Sequence, residues 1–139
     1  SKVLLQQRAM GKYHTPGLWA NTCCTHPDWD EDPGKCALRR LDEELGLTGI
    51  PLEHRHHLEY RAEVGSGLIE HEVVEVYVGF APDNVEFAAN PDEVMATEWI
   101  DVRDLRTALS KYPERFTPWL RIYMTDHADT IFGHDLALS

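Results

Sequence analysis

A thiol and an imidazole stand two residues apart at Cys24 and His26, shortly before a stretch rich in charged residues. A thiol can donate a proton near neutral pH, and its thiolate can accept one, once the surroundings tune its pKa. Most free cysteines are instead small buried hydrophobes, which is what we expect of Cys23 and Cys36. The imidazole close to Cys24 makes this residue the candidate for proton transfer.

Two carboxylates, Glu70 and Glu72, stand at the beginning of the clearest strand pattern of the chain, residues 69–80. Alternation puts both on one face of this strand, which continues with valines, and puts His71 on the opposite face. Carboxylate oxygens are ligands of divalent cations. Glu70 and Glu72 could therefore bind a metal together with His26, and one oxygen could also accept a proton. The alternative is a solvated strand end.

A helix is predicted over residues 33–45, because Asp32 can cap it, proline occupies its first position and Gly46 follows its last. The apolar stripe that we expect to be buried consists of Ala37, Leu38, Leu41 and Leu45. The charged residues expected on its other faces are Arg39, Arg40, Glu43 and Glu44. Pairs spaced four residues apart are usually exposed salt bridges, worth about 0.2–0.5 kcal/mol each.

This helix and the residues before it resemble the signature sequence of the Nudix superfamily. The matching positions are Glu31, Arg39, Leu41, Glu43, Glu44, Gly46 and Leu47. The sequence departs from the signature at Thr25, where glycine is usual, and at Arg40, where a carboxylate is usual. Hydrolytic Nudix enzymes use that carboxylate to hold metal, so a cation there indicates different chemistry. The resemblance favours phosphate binding by Arg40 and Mg²⁺ binding by Glu44.

The composition limits the partners that this 139-residue chain could bind. Its net charge is −11 and its pI is near 5, so we expect neither nucleic acid nor an anionic membrane as a partner. An anionic substrate must meet local cations, and Arg8 and Lys12 are candidates, although a solvated loop is the alternative. Three cysteines, two of them adjacent, do not form a disulfide framework, which predicts a cytoplasmic protein.

Strands and helices in mixed order predict one α/β (α+β) domain over residues 1–139. The predicted strands cover residues 2–8, 18–24, 58–64, 69–80 and 97–102, and the predicted helices cover residues 33–45, 103–110 and 117–127. The first strand begins without a turn or cap before it, so we expect that an amino-terminal segment precedes it in the whole protein.

Several aromatic and imidazole side chains have a structural interpretation. By default Tyr60 and Trp119 pack in the core. His54, His56 and His57 lie close together, but alternation separates His57 from the other two. We therefore expect surface histidines there, not a metal site.

Short motifs along nearly the whole chain resemble those of the type 1 isopentenyl diphosphate isomerases, a Nudix family. They are Arg8-Ala9-x-x-x-Lys12, Pro16-Gly17-Leu18-Trp19, Asn21-x-x-Cys24-x-His26-Pro27, Glu43-Glu44-Leu45-Gly46, Tyr60-Arg61-Ala62, Glu70-x-Glu72-Val73, Asp92-Glu93-Val94 and Thr117-Pro118-Trp119. Each motif alone is weak, but their order and spacing together are specific. The resemblance implies a Nudix-type α/β/α sandwich with a mixed sheet and a small isoprenoid diphosphate as substrate. We favour a monomer.

The resemblance also implies roles in moving a double bond by one carbon. Cys24 and Glu72 would flank the isoprenoid carbons and exchange protons with them, and Tyr60 would assist protonation. Trp119 would present its π face to a tertiary carbocation, an interaction worth about 2 kcal/mol when desolvated. Water must be excluded, because it would trap the cation as an alcohol.

Two metal sites follow from the same resemblance. His26, Glu70 and Glu72 look like ligands of a catalytic Zn²⁺, Mn²⁺ or Mg²⁺, whose two remaining family histidines lie upstream of the first strand. The second site, formed by Glu44 and the main-chain carbonyl of Cys24, would hold Mg²⁺ against the diphosphate. The cations that would bind the diphosphate oxygens are Arg8, Lys12 and Arg40.

Two other functions compete with the isomerase. A Nudix hydrolase of a nucleoside diphosphate derivative would need the carboxylate that Arg40 replaces, and it leaves Cys24, Tyr60 and Trp119 unexplained. A non-catalytic module that binds a metal or ligand would show no dependence of any turnover on Cys24.

Overall fold

The computed structural model describes residues 2–12, 15–24, 28–65, 67–82 and 84–133, and for Val64, Gly65 and Glu70 it describes the backbone alone. The strands are β1 (Lys2–Arg8), β2 (Trp19–Ala20), β3 (Leu52–Gly65), β4 (Leu68–Gly79) and β5 (Val94–Asp101). The helices are α1 (Pro33–Leu45), α2 (Val102–Lys111), α3 (Pro118–Asp126) and α4 (Ala128–Phe132), with a 3₁₀ turn at Pro113–Arg115. No helix in these ranges is both long enough and apolar enough to cross a membrane.

The strands form two antiparallel groups with helices packed against them. β1 lies between β2 and β5, and β3 and β4 form a long hairpin. Among the described residues, the parallel pairing expected of a mixed sheet is limited to an isolated bridge between Trp19 and Phe116. The combination of helices with these sheets agrees with the predicted α/β fold.

The predicted limits of α1 are confirmed. The Asp32 carboxylate accepts a hydrogen bond from the Lys35 backbone N–H at 3.1 Å, and Gly46 ends the helix with φ of 64°. The predicted buried stripe is only partly correct. Leu41 and Leu45 are buried, whereas Leu38 is 48% exposed. Leu38 shares the angular face of Leu45 but lies about two turns earlier, beyond the apolar cluster that Leu41 and Leu45 join.

The placement of Glu44 corrects the prediction that it lies on a charged outer face. Glu44 is 2% exposed and points into the molecule beside the buried Leu45. Its partners, described below, come from β1 and from the segment after β2. The apolar stripe of α1 therefore continues into a polar contact, which a hydrophobicity pattern does not reveal.

The β3–β4 hairpin begins earlier than predicted. β3 starts at Leu52, six residues before the predicted strand, because its polar first half pairs with β4 all the way to Gly79. The predicted helix over 117–127 is also divided, since His127 ends α3 and precedes α4.

A register shift between His54 and His56 corrects the predicted separation of the histidines. Because of this bulge, His54 and His57 point to the same face, and both contact the carboxylate of Glu75. His56 points the other way, with Nε2 at 3.1 Å from Nδ1 of His127. His54 and His57 are well exposed, so the prediction of surface histidines holds for them.

Candidate active site

Three of the four predicted catalytic residues meet in one buried cluster. Tyr60 from β3 and Trp119 from α3 are 9% and 5% exposed, and Cys24 packs against them from the segment after β2. The indole Nε1–H of Trp119 donates a hydrogen bond to Cys24 Sγ at 2.9 Å. The guanidinium carbon of Arg8 lies 5.2 Å from the centre of the Trp119 ring. The thiol of Cys24 thus lies at the N–H edge of the Trp119 indole, and the guanidinium of Arg8 lies over its ring.

The start of α3 fixes the position of Trp119. The Thr117 side chain caps the helix by accepting from the Leu120 backbone N–H, and the Thr117 N–H donates to the Trp19 carbonyl at 2.9 Å. Thr117 is fully buried. The first turn of α3 is therefore attached to β2, the strand that leads to Cys24.

Glu72, the fourth predicted catalytic residue, lies next to this cluster. In the antiparallel register of the hairpin it pairs directly with Tyr60, and directly paired residues project from the same face. Val74, Val76 and Val78 continue that face and pack against the cluster. The predicted alternation of β4 is thus correct for the described side chains. Glu70 pairs with Ala62 two positions along, but its side chain is outside the description.

Charged side chains form a second group beside Cys24. The Arg40 Nη2 atom lies 3.4 Å from Glu44 Oε2 and 3.5 Å from Glu93 Oε1, and Glu93 also forms a salt bridge with Lys12. The hydrogen bond from Lys12 and the charge of Lys12, and after them the charge of Arg40, lower the pKa of Glu93, and partial burial opposes them. Two of the three cations predicted to bind phosphate, Lys12 and Arg40, are therefore joined through one carboxylate.

Glu44 is enclosed by donors that the sequence did not identify. Gln6 Nε2 donates to Glu44 Oε1 at 3.2 Å, and Cys23 Sγ donates to Oε2 at 3.0 Å. Gln6 is 1% exposed. A glutamine in a short strand gave no sequence signal of a buried contact with a residue 38 positions away. Cys23, expected to be a small buried hydrophobe, is a hydrogen-bond donor to a carboxylate.

Both thiols of the Cys23–Cys24 pair are held in the protonated form. Burial raises the pKa of Cys23 far above its ordinary value, and the neighbouring Glu44 charge raises it further. Burial raises the pKa of Cys24 to about 12, although the nearby Arg8 charge opposes this shift. A neutral thiol carries a proton, but a raised pKa makes that proton harder to give up. The described surroundings therefore keep the proton on Cys24 and do not tune its pKa towards neutrality.

The two predicted metal sites differ in how much of each is described. His26 lies outside the described residues, and Glu70 is described by its backbone alone, so the site with Glu72 remains a prediction. The described side chains contain no group of three or more metal-ligating residues that could hold an ion. At the predicted Mg²⁺ site, the donors fit a hard cation, because Glu44 offers a buried carboxylate. The buried Gln6 Oε1 also has no partner among the described residues.

Comparison with known proteins identifies the class of this fold and site. The NUDIX domain family model matches residues 1–120. The fold resembles a Deinococcus radiodurans crystal structure with a TM-score of 0.72 at 14% identity, covering 88% of this chain and 72% of that one. It also resembles a MutT NUDIX hydrolase from Burkholderia pseudomallei, with a TM-score of 0.64 at 23% identity, covering 91% of this chain and 88% of that one. The chain belongs to the NUDIX domain family.

Sequence relatives narrow this class. An isopentenyl-diphosphate Delta-isomerase from Roseobacter denitrificans is 65% identical over 136 residues, which cover 98% of this chain and 77% of the relative. One from Ruegeria pomeroyi is 60% identical over 137 residues, covering 99% and 76%. Within the NUDIX family, the chain belongs with the isopentenyl-diphosphate Delta-isomerases. This membership favours an isomerase over the hydrolase alternative.

Proposed function

We propose that this chain isomerises isopentenyl diphosphate to dimethylallyl diphosphate for isoprenoid biosynthesis. One C–H bond forms at the terminal alkene carbon. One C–H bond breaks at the methylene attached to the internal alkene carbon, so no atom is gained or lost overall. The observation that carries the proposal is the position of the Cys24 thiol, which accepts a hydrogen bond from Trp119 and packs in one cluster with Tyr60, while the cation of Arg8 lies over the Trp119 ring. A side chain that can carry a proton therefore lies beside the aromatic rings of Trp119 and Tyr60.

The apolar cluster suits an unactivated alkene. Cys24 and Glu72 would hold and accept the two protons that move, while Tyr60 assists protonation from the same face as Glu72. The tertiary carbocation between these steps would be stabilised by the electron-rich face of Trp119. Because Tyr60 and Trp119 are almost fully buried, the same side chains exclude water from the cation.

The charged group suits the diphosphate. Arg8, Lys12 and Arg40 would bind its oxygens as charge-assisted donors. Glu44 and the main-chain carbonyl of Cys24 would hold Mg²⁺, and His26, Glu70 and Glu72 would bind a second divalent ion, Mn²⁺, Zn²⁺ or Mg²⁺. When bound, these ions would neutralise the diphosphate and polarise the groups that carry protons. The proton transfers and the stabilisation of the carbocation would be carried out by side chains of this chain.

The cellular setting is part of the same proposal. None of Cys23, Cys24 and Cys36 is part of a disulfide bond, which supports a reducing compartment and hence the cytoplasm. We propose that residues 1–139 act as one domain and as a monomer. The strongly acidic net charge argues against nucleic acid and anionic membranes as partners.

Proton NMR of isopentenyl diphosphate in D₂O tests the activity directly. The full-length protein is supplied with Mg²⁺ plus Mn²⁺ or Zn²⁺, and the paramagnetic ion is removed before spectra are recorded. Deuterium should enter a methyl group as dimethylallyl diphosphate forms, because the added proton comes from exchangeable acid groups. Cys24→Ala should lower turnover by about 10²–10⁴-fold. Cys36→Ala, which removes a buried thiol from α1, is the matched control.

A different result would redirect the assignment. If metal binds but neither exchange nor product is observed, the isomerase proposal is wrong, and release of phosphate from nucleoside diphosphate derivatives becomes the next assay. Equal turnover by Cys24→Ala and the unmodified protein would instead remove Cys24 from the chemistry.

A further inference from the structure

Gln6 is a polar side chain enclosed in the middle of β1. It is 1% exposed, and its Nε2 donates two hydrogen bonds, to Glu44 Oε1 at 3.2 Å and to the Thr22 carbonyl at 2.7 Å. Both partners are acceptors, so the orientation of the amide is determined: the nitrogen must face them. A buried glutamine with this geometry links three separate segments of the chain.

The two partners of Gln6 belong to the two segments that would supply the ligands of the proposed Mg²⁺ site. Glu44 supplies its carboxylate from α1, and Thr22 lies two residues before Cys24, whose main-chain carbonyl is the other proposed ligand. The Thr22 hydroxyl also donates to the Leu4 carbonyl at 2.6 Å. The segment that carries Cys24 is thus hydrogen-bonded to β1 twice, through Gln6 and through Leu4. The Gln6 side chain also donates to Glu44.

The second carboxylate oxygen of Glu44 is held as well. Oε2 accepts from Cys23 Sγ at 3.0 Å and lies 3.4 Å from Arg40 Nη2. Rotation of the carboxylate would break contacts on both oxygens. Oε1, with one described donor, retains a lone pair that can face a cation.

The unused atom of the Gln6 amide points to a ligand. Its Oε1 is buried and has no hydrogen-bond partner in the part of the chain that is described. Buried polar atoms are almost always partnered, and Mg²⁺ usually keeps several waters when it binds to proteins. A metal-bound water would satisfy this oxygen.

We propose that Gln6 is a positioning residue of the Mg²⁺ site, which fixes the Glu44 carboxylate relative to the segment carrying Cys24 and accepts a hydrogen bond from a water of the bound ion. This inference rests on the proposed function, which assigns Mg²⁺ to Glu44. Gln6 itself does not touch the reacting carbons. Its loss should therefore affect metal binding first and the chemistry second.

Gln6→Met is the principal test, because methionine has nearly the same length but cannot make these hydrogen bonds. The full-length protein is titrated with Mn²⁺ in the presence of inorganic pyrophosphate, and free Mn²⁺ is measured by electron paramagnetic resonance. We expect about 10-fold weaker binding, as is typical for loss of a side chain that orients a metal ligand. The Mg²⁺ concentration needed for half-maximal turnover should rise by a similar factor, and kcat should largely recover at saturating Mg²⁺.

Gln7→Met is the matched control. Gln7 is the next residue of β1 and also donates through Nε2, but to the Gly17 carbonyl at 3.0 Å on the other face of the strand. It should leave Mn²⁺ binding and the Mg²⁺ requirement unchanged. Equal Mn²⁺ affinity in Gln6→Met and Gln7→Met would overturn the inference.

Gln6→Glu provides a second test if Gln6→Met fails to fold. A carboxylate at this position would face Glu44 directly, so the metal-free protein should be less stable, and Mn²⁺ should raise its melting temperature more than that of the unmodified protein. An equal or smaller rise would count against the contact. The binding measurements need no turnover, so they separate the two proposals. An active enzyme with an unchanged metal requirement in Gln6→Met removes the role of Gln6 alone, whereas weakened binding in an inactive protein removes the isomerase function alone.

Discussion

The two ends of the candidate site differ in polarity: one is apolar and buried, and the other is charged and partly exposed. At one end, Tyr60 and Trp119 are less than 10% exposed and surround the Cys24 thiol with apolar surface. At the other end, the side chains of Lys12, Arg40 and Glu93 are 19–25% exposed and are joined by salt bridges. Cys24 lies between them, with its thiol in the apolar cluster and its neighbour Cys23 hydrogen-bonded to Glu44.

This contrast corresponds to the two parts of the proposed substrate. A carbocation needs a surface without water or nucleophiles, whereas a diphosphate needs fixed cations that are already desolvated in part. In the charged end, Glu93 and Glu44 balance Lys12 and Arg40 before any ligand is present. Changes in the apolar end should therefore alter kcat, and changes in the charged end should alter KM. The predictions below test that division.

The largest effect is expected from Glu72→Gln. Glutamine keeps the shape of the side chain but cannot accept the transferred proton or bind metal as a carboxylate does, so kcat should fall by about 10³-fold. The readout is the rate of product formation measured by NMR, together with the melting temperature.

Glu75→Gln is the control for this change. Glu75 lies three residues along β4 on the opposite face, where it contacts His54 and His57. It should retain the kcat of the unmodified protein. A Glu72→Gln variant as active as Glu75→Gln would remove Glu72 from the apolar end.

A smaller loss of kcat is expected when the aromatic side chain of Trp119 is truncated. Trp119→Ala should lower kcat by about 30-fold, the equivalent of a cation–π interaction of about 2 kcal/mol. It also opens a cavity that costs about 3–5 kcal/mol of stability, so Trp119→Phe is needed beside it. The phenylalanine variant should keep a larger part of the rate. Equal kcat values for the two variants, measured where both are folded, would exclude a role of the π face.

Arg40→Gln tests the charged end. It removes a donor to the diphosphate, and hydrogen bonds to charged groups are worth about 1.5–3 kcal/mol, so KM should rise about 10-fold or more with a smaller change in kcat. Arg39 is the matched control, because it is the adjacent arginine of α1 and shares Glu43 with Arg40. Its other partners are Glu31 and Asp28, whereas those of Arg40 are Glu44 and Glu93. Arg39→Gln should leave KM unchanged. If Arg40→Gln lowered kcat and spared KM, the two ends would not be functionally separate.

The parts of this structure that were predictable from sequence have local causes. The limits of α1 follow from Asp32, Pro33 and Gly46, which act on neighbouring backbone groups. The alternation of β4 follows from the pleat of a single strand, and it correctly put Glu72 with the valines. The family motifs added which residues to bring together, and Cys24, Tyr60 and Trp119 do meet in one cluster.

The parts that were missed depend on partners distant in sequence. β3 starts early because β4 pairs with its polar first half, and the bulge near His54 changes which histidines share a face. Gln6 and Glu44 are buried because α1 and β1 face each other, a tertiary contact without a periodic signal. Polar residues read as solvent-facing were thus the least predictable, and in this protein they hold the charged end together.

The smallest effect concerns the acid sensitivity of the charged end. Lys12 lowers the pKa of Glu93 below its ordinary value of 4.5. The folded protein therefore holds this proton less tightly than the unfolded chain, and the resulting stabilisation is fully present above pH 4.5 and is lost as the pH falls through the lowered pKa. Glu93→Gln removes this stabilisation, so its free energy of unfolding should fall below that of the unmodified protein near neutral pH and approach it in acid. For partly exposed salt bridges the difference should be about 1 kcal/mol or less.

Denaturant unfolding at a series of pH values measures it, with Asp92→Asn, a change in the exposed neighbouring acid, as the control. The free energy of unfolding of Trp119→Phe should differ from that of the unmodified protein by an amount that does not vary with pH. If the difference for Glu93→Gln were also independent of pH, packing and not charge would stabilise the charged end.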